Sequence, residues 1–330
     1  MRFSRLFVSL VSLAASALAY PNPISGSSTL SVRDPSIWYN PSLQEYFVFA
    51  TNGNIGIFTS SALTGPWTYR GAVLPNCSNI QLAGNCVLWA PDINYINGLY
   101  TLYYSVSTLS SQSSAIGVAT SPSMLPGTWT DLGQVIRSNP GDLFNAIDAN
   151  LIVDSDGGMK LAFGSWWNGM YQIGLWPGVN NEASALPGTH LAGANGRSAE
   201  GVFVYKPSSQ PYYYCFFSDG LSPGAGATSY PAAGAEYKVR VGRGAVGQGP
   251  FYDSAGHPLT DDISPPTGTI VLESHDNIYA PGGQSVFRDP VSGRDVMVYH
   301  YIPKSNPVGS QSYLGINYLD FSSGWPVVVT

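Results

Sequence analysis

The chain has 330 residues, of which only 10% are charged, and a formal net charge of −6. That balance excludes a basic surface for nucleic acid or anionic lipid and leaves a neutral or acidic polymer as the better-matched partner. Its 37 Gly, 25 Pro, 8 Trp, 21 Tyr and 13 Phe describe turn-rich β structure rather than helices or disorder. Residues 1–19 open on Met1-Arg-Phe-Ser-Arg5, continue as an apolar run and end on Ala17-Leu-Ala19, the pattern of a cleaved secretory signal. The run is too short to anchor the chain in a membrane, and no other stretch approaches ~20 apolar residues. A secreted, soluble, monomeric protein starting near Tyr20 is therefore expected. Residues 20–330 form its single domain, since ~310 residues can bury one large core.

From Asp34 onward one layout recurs. Copies begin at Asp34 in Arg-Asp-Pro-Ser-Ile-Trp-Tyr, Asp92 in Ala-Pro-Asp-Ile-Asn-Tyr, Asp148 in Ile-Asp-Ala-Asn-Leu-Ile, and Glu200 in Ala-Glu-Gly-Val-Phe-Val-Tyr, at spacings of 58, 56 and 52 residues. Each acid leads into a strand, a turn and an aromatic-rich return strand ending on a small polar residue: Thr51, Ser107, Ser165 and Ser218. In the third copy, for example, Leu151–Val153 and Met159–Phe163 flank Asp154-Ser-Asp-Gly-Gly158, which supplies hairpin turn chemistry. A fifth copy, without an acid, begins at Gly283-Gln-Ser-Val-Phe and returns through Asp295 to His300. Repeats near 50 residues built from hairpins predict an all-β, five-bladed β-propeller.

Between the first two copies, Cys77 and Cys86 stand nine residues apart in a Gly/Asn-rich loop, and in an oxidising compartment they are expected to pair. Cys215 sits in an apolar strand as a free thiol. Asn76-Cys-Ser78 is a glycosylation sequon that would compete with the disulfide. From Asp219 to His275 the period breaks; the Gly/Pro/Ala-rich run at Leu221 reads as a long loop that can wall the cleft, before a strand at Glu236-Tyr-Lys-Val-Arg-Val.

Ring closure brings the first strand of every blade to the central axis, so the four acids should converge at one mouth of the channel. Like charges cannot all ionise cheaply there, so one carboxyl stays protonated while another stays ionised. That division of labour is what glycoside hydrolysis needs: an acid for the leaving oxygen and a base for water. A lone Asp at a strand entry usually caps or turns; three or four in phase argue for chemistry, with Asp92 open to either reading.

Over almost the whole of residues 20–330 the chain resembles the arabinan endo-1,5-α-L-arabinanases of glycoside hydrolase family 43. The resemblance is carried by Val32-Arg-Asp-Pro, Leu88-Trp-Ala-Pro-Asp, Tyr103-Tyr-Ser-Val-Ser-Thr, Asn145-Ala-Ile-Asp-Ala-Asn, Ala199-Glu-Gly, Pro281-Gly-Gly-Gln-Ser and Tyr299-His-Tyr. It implies inverting, endo-acting cleavage of arabinan in the pectin of plant cell walls. Asp34 is then the general base, Glu200 the general acid, and Asp148 the residue that tunes and orients the acid. Asp34, Ser107, Asn145, Ala146, Ile147, Asp148, Ser165, Trp166 and Trp167 are expected around the sugar, hydroxyls and amides bonding its oxygens and indoles stacking on the ring. Trp89 is a further stacking candidate or an inter-blade packing residue. No cofactor is needed for the chemistry, although the family implies a structural calcium in the channel held by His300 and water; the alternative for His300 is a satisfied core histidine. Competing functions are an exo-acting α-L-arabinofuranosidase or β-xylosidase with the same acids, and a non-catalytic carbohydrate-binding propeller, which would need no trio of acids.

Overall fold

A computed structural model describes residues 20–330 apart from Asn52, Ser155, Pro177 and Ala183; the signal segment expected at 1–19 lies outside the described residues. Five four-stranded antiparallel sheets follow one another along the chain, forming a five-bladed propeller. The first strands are Arg33–Asn40, Trp89–Ile96, Asn150–Val153, Ala199–Tyr205 and Ile278–Arg288. The irregular stretch after Asp219 is not a loop alone. It holds the outer two strands of blade four, Lys238–Gly244 and Thr269–Leu272, while Ser222 and Ala225 in the run before them reach the site.

Alternation along the middle strands sends side chains to both faces of each blade, and the two faces pack on different neighbours. In blade four, Tyr214 and Phe216 join the core shared with blade five, whereas Cys215 and Phe217 join the core shared with blade three. Cys215 is free and fully buried, as expected, and burial pushes its thiol pKa up. Cys77 and Cys86 form a disulfide. The ring closes without exchanging a strand: Val327–Val329 completes blade five, and the segment after Tyr20 stitches to the same blade through Ile24 N–H to Ile316 O (2.8 Å) and Leu314 N–H to Leu30 O (2.8 Å).

Two rings of inter-blade hydrogen bonds fix where side chains point. At the inner end of each first strand one residue is left-handed: Asp34 (φ 46), Ala90 (φ 43), Asp148 (φ 58), Gly201 (φ 65) and Gly283 (φ 57). In blades one, two, four and five the position falls at a register shift, where a β-bulge re-aims a side chain. The N–H there is taken by the preceding blade: Ala90 by Thr51 Oγ1 (2.8 Å), Asp148 by Ser105 Oγ (3.0 Å), Gly283 by Ser218 Oγ (2.9 Å) and Asp34 by His300 Nδ1 (3.2 Å). Blade three has Gly164 at this register, so Asp148 itself accepts the Gly201 N–H (3.1 Å). The strand-end residues are therefore Thr51, Ser105, Gly164, Ser218 and His300; Ser107 and Ser165 lie just beyond.

Asp92 belongs to the second ring, two residues further on. Ser36 Oγ accepts Ile93 N–H (3.2 Å), Asp92 Oδ2 accepts Leu151 N–H (2.7 Å) and Asn150 Oδ1 accepts Val204 N–H (2.8 Å). Asp92 is thus out of phase with Asp34 and Asp148 and ties blades two and three together. Burial raises its pKa to about 7, against bonds from Leu151, Asn94 and Asn150 that favour the charged form. Because the folded value exceeds the unfolded 3.8, the folded state binds the extra proton between these pH values, and stability falls as pH rises through the window. Asp92→Asn supplies the amide that blade three already uses at this register. It should match wild type near pH 4 and be more stable by up to ~4 kcal/mol above pH 7, read from urea melts across that range; a variant less stable at pH 8 would contradict this.

Candidate active site

Asp34, Asp148 and Glu200 line one cavity of about 880 Å³ at the centre of the ring, walled also by Arg33, Trp89 and Tyr237. Asp34 and Asp148 arrive at equivalent left-handed positions. Asp tolerates this backbone better than most residues because its short polar side chain bonds locally. Glu200 comes from one residue upstream of that position, and its side chain is one methylene longer. In blade five the equivalent residue is Gly283, where any Cβ would run into the Asp34 carboxylate and the His300 ring. That contact is why the fifth blade carries no acid.

Each carboxylate is held by named donors. Thr51 Oγ1 donates to Asp34 Oδ2 (2.7 Å), and Arg33 Nε lies 3.9 Å from the same oxygen. Thr51 accepts the Ala90 N–H at the same time, so one hydroxyl links the base of blade one to blade two. Ser165 Oγ donates to Glu200 Oε2 (2.6 Å), and the Tyr237 hydroxyl donates to Oε1. Burial, then the charges of Glu200 and Asp34, hold the Asp148 pKa well above the usual carboxylate range, opposed by Gly201 N–H and Arg33. Burial works against the charge on Arg33, yet Asp34, Tyr237, Glu200 and Asp148 together hold it protonated more firmly than a free arginine. Its Nη2 donates to Ser222 Oγ (2.9 Å), which pins the 221–235 segment over the site. A cluster of this kind can keep one proton for delivery and one carboxylate for receiving.

The family model for Glycosyl hydrolases family 43 matches residues 20–326. The chain belongs to glycoside hydrolase family 43. It is 44% identical to the probable arabinan endo-1,5-alpha-L-arabinosidase A of Aspergillus clavatus, over 99% of this chain and 100% of that protein. It is 43% identical to the arabinan endo-1,5-alpha-L-arabinosidase A of Aspergillus aculeatus, over 96% of each. Among solved structures, it is similar to the native arabinanase of Bacillus subtilis (31% identity, TM-score 0.76, 92% of this chain and 99% of that one). It is also similar to an exo-1,5-alpha-L-arabinanase from a bovine ruminal metagenomic library (27% identity, TM-score 0.79, 93% and 99%).

Of the residues the sequence nominated around the substrate, Ser107, Ile147, Asp148, Asp34 and Trp89 line the cavity. Ser107 shares its hydroxyl with Ser114 Oγ (2.7 Å). Asn145 and Ala146 are buried behind it, and Ala146 donates its N–H to Ser138 Oγ (2.9 Å). Ser165 contacts Glu200, while Trp166 and Trp167 lie outside the lining. Trp166 is 39% exposed, and both are tied into the turn joining blades three and four by Trp166 N–H to Ala199 O (2.9 Å) and Gly196 N–H to Trp167 O (2.5 Å). Residues the sequence reading missed are Thr51 as a partner of Asp34, Arg33 and Tyr237.

No group of three or more His, Cys, Asp or Glu side chains among the described residues could share a metal ion. The single-histidine site that the resemblance implies is a different case, and at His300 one observation favours it and one opposes it. Its Nε2 is buried with no protein partner, and burial, then Arg33, keep the ring neutral by lowering its pKa well below the usual value. Nδ1 lies 3.2 Å from Asp34 N and 3.4 Å from Asp34 Oδ1. Because Nδ1 accepts the Asp34 N–H, the neutral ring carries its proton on Nε2, and direct ligation of a cation through Nε2 would need the other tautomer, at the expense of that bond. Such an ion would add positive charge beside three carboxylates.

Proposed function

We propose that this chain hydrolyses internal α-1,5 linkages of arabinan with inversion of configuration, Asp34 acting as general base and Glu200 as general acid. The observation that carries the reading is that these carboxylates and Asp148 line one cavity, each on its own set of donors. In this reading Asp34 takes a proton from water as the water oxygen bonds the anomeric carbon. Glu200 gives its proton to the departing glycosidic oxygen. Asp148, packed beside Glu200, orients the acid by fixing, through the Gly201 N–H, the backbone next to it. Trp89, Ser107 and Ile147 contact the sugar from the cavity wall. The apolar segment at 1–19 directs secretion, residues 20–330 are the catalytic domain, and a monomer suffices because one chain supplies the whole wall.

Endo action is favoured over exo action by the full-length likeness to fungal proteins named as endo-acting, although one similar structure is named as exo-acting. Hydrolysis of linear arabinan should release oligomers of several lengths in the first few per cent of reaction, and proton NMR should show the β anomer first. Monomer alone at early times would replace endo by exo action, and a first-formed α anomer would make Asp34 a nucleophile.

A further inference from the structure

Glu200 is unusual in the cluster because both of its carboxylate oxygens are occupied by neutral hydroxyl donors from different blades. Ser165 Oγ–H reaches Oε2 (2.6 Å) from just beyond the second strand of blade three. The Tyr237 hydroxyl reaches Oε1 from the start of the third strand of blade four. Tyr237 is 2% exposed, its N–H is bonded to Leu221 O (3.1 Å), and its ring lies over Gly282, where a Cβ would intrude on it. The phenol is therefore held in one place by backbone on two sides. Burial, then Glu200, push its pKa well above the usual tyrosine value, so it remains a donor.

Each carboxyl oxygen has two lone-pair directions. The hydroxyls take one on each, which leaves one free direction on each oxygen; the catalytic proton sits on one of these and points along it at the leaving oxygen. We propose that Tyr237 and Ser165 form a hydroxyl clamp on Glu200, positioning residues that aim its proton at the glycosidic oxygen and share the charge left when it departs. The proposal rests on the reading of Glu200 as general acid. In the step concerned, the Glu200 proton passes to the glycosidic oxygen as the C1–O bond breaks and its electron pair stays on that oxygen. Water bonds C1 and loses its proton to Asp34. The clamp hydroxyls keep their protons throughout. Their bonds strengthen as Glu200 becomes anionic, since bonds to charged acceptors are about twice as strong as neutral ones, so they favour the transition state over the bound substrate.

The experiment compares two substrates. On linear arabinan, Tyr237→Phe should lower kcat on the order of tenfold to a hundredfold with KM close to wild type, and Ser165→Ala should fall in the same direction. On an arabino-oligosaccharide with a 2,4-dinitrophenyl leaving group, which departs without a proton, both variants should turn over at the wild-type rate. Equal losses on the two substrates, or a raised KM with unchanged kcat, would overturn the clamp and make these residues packing or substrate-binding groups. Glu200→Gln measured alongside separates the layers. If it spares arabinan hydrolysis, the acid assignment itself fails. If it shows the leaving-group dependence and the hydroxyl variants do not, only the clamp is wrong.

Discussion

Glu200→Gln and Asp34→Asn should each lower kcat on arabinan by about 10²–10⁴-fold while leaving the fold intact, and they should differ in what restores them. Gln keeps the side-chain length and can still bond the Tyr237 and Ser165 hydroxyls, so the loss isolates the proton. A leaving group that needs no proton should recover most of the rate for Glu200→Gln and not for Asp34→Asn. Asn at position 34 tolerates the left-handed φ of 46 and still accepts from Thr51. It cannot take a proton from water. For Asp34→Ala, azide needs no deprotonation and can enter the vacated volume, so added azide should restore turnover and give a β-configured glycosyl azide. Wild-type rates in the folded variants, or an α-configured azide product, would refute the assignment of the two roles.

The blades and two of the three acids were legible because they repeat with the backbone. Asp34 and Asp148 mark the same left-handed turn in blades one and three, and hydrophobic alternation marks the strands behind them. Glu200 was found for a partly wrong reason, since the residue in phase is Gly201. Asp92 looked in phase because its offset of two residues from Ala90 is hidden by the bulge, which adds length without leaving a mark in the hydrophobic pattern. Offsets of two residues and of one displaced the expected rim from Ser105 and Gly164 to Ser107 and Ser165. Ser165 still proved informative, because one residue beyond the register it meets Glu200 of the next blade. Tyr237 and Arg33 carried no local signal: the sequence shows a Tyr opening a strand and an Arg before an acid. Their value comes from contacts across the ring, Tyr237 with Glu200 across 37 positions and Arg33 with Ser222 across 189. Position in the wall, unlike strand phase, is set by tertiary closure.

Asp148→Asn should make the protein more stable and less active at the same time. The substituted asparagine tolerates the φ of 58, its amide oxygen can accept the Gly201 N–H, and its own backbone N–H still reaches Ser105. The variant therefore keeps the inter-blade ring and loses only the charge. In wild type the Asp148 pKa lies above its unfolded value, with burial the first cause and the Glu200 and Asp34 charges the next. Folding then favours the protonated form, and its contribution to stability is lost as pH rises through the folded pKa. Melting temperatures should coincide near pH 4 and separate above it, the variant melting roughly 1.5 °C higher at pH 8 for each kcal/mol relieved in a domain of this size. Turnover should fall by at least ~10²-fold, since the charge beside Glu200 and its effect on the proton are gone. Asp148→Ala removes the Gly201 bond as well, so it should lose both activity and stability. If Asp148→Asn melts below wild type at pH 8, the carboxylate is a net structural asset; if it melts above while turnover collapses, the crowding of three acids costs stability and is kept for the reaction.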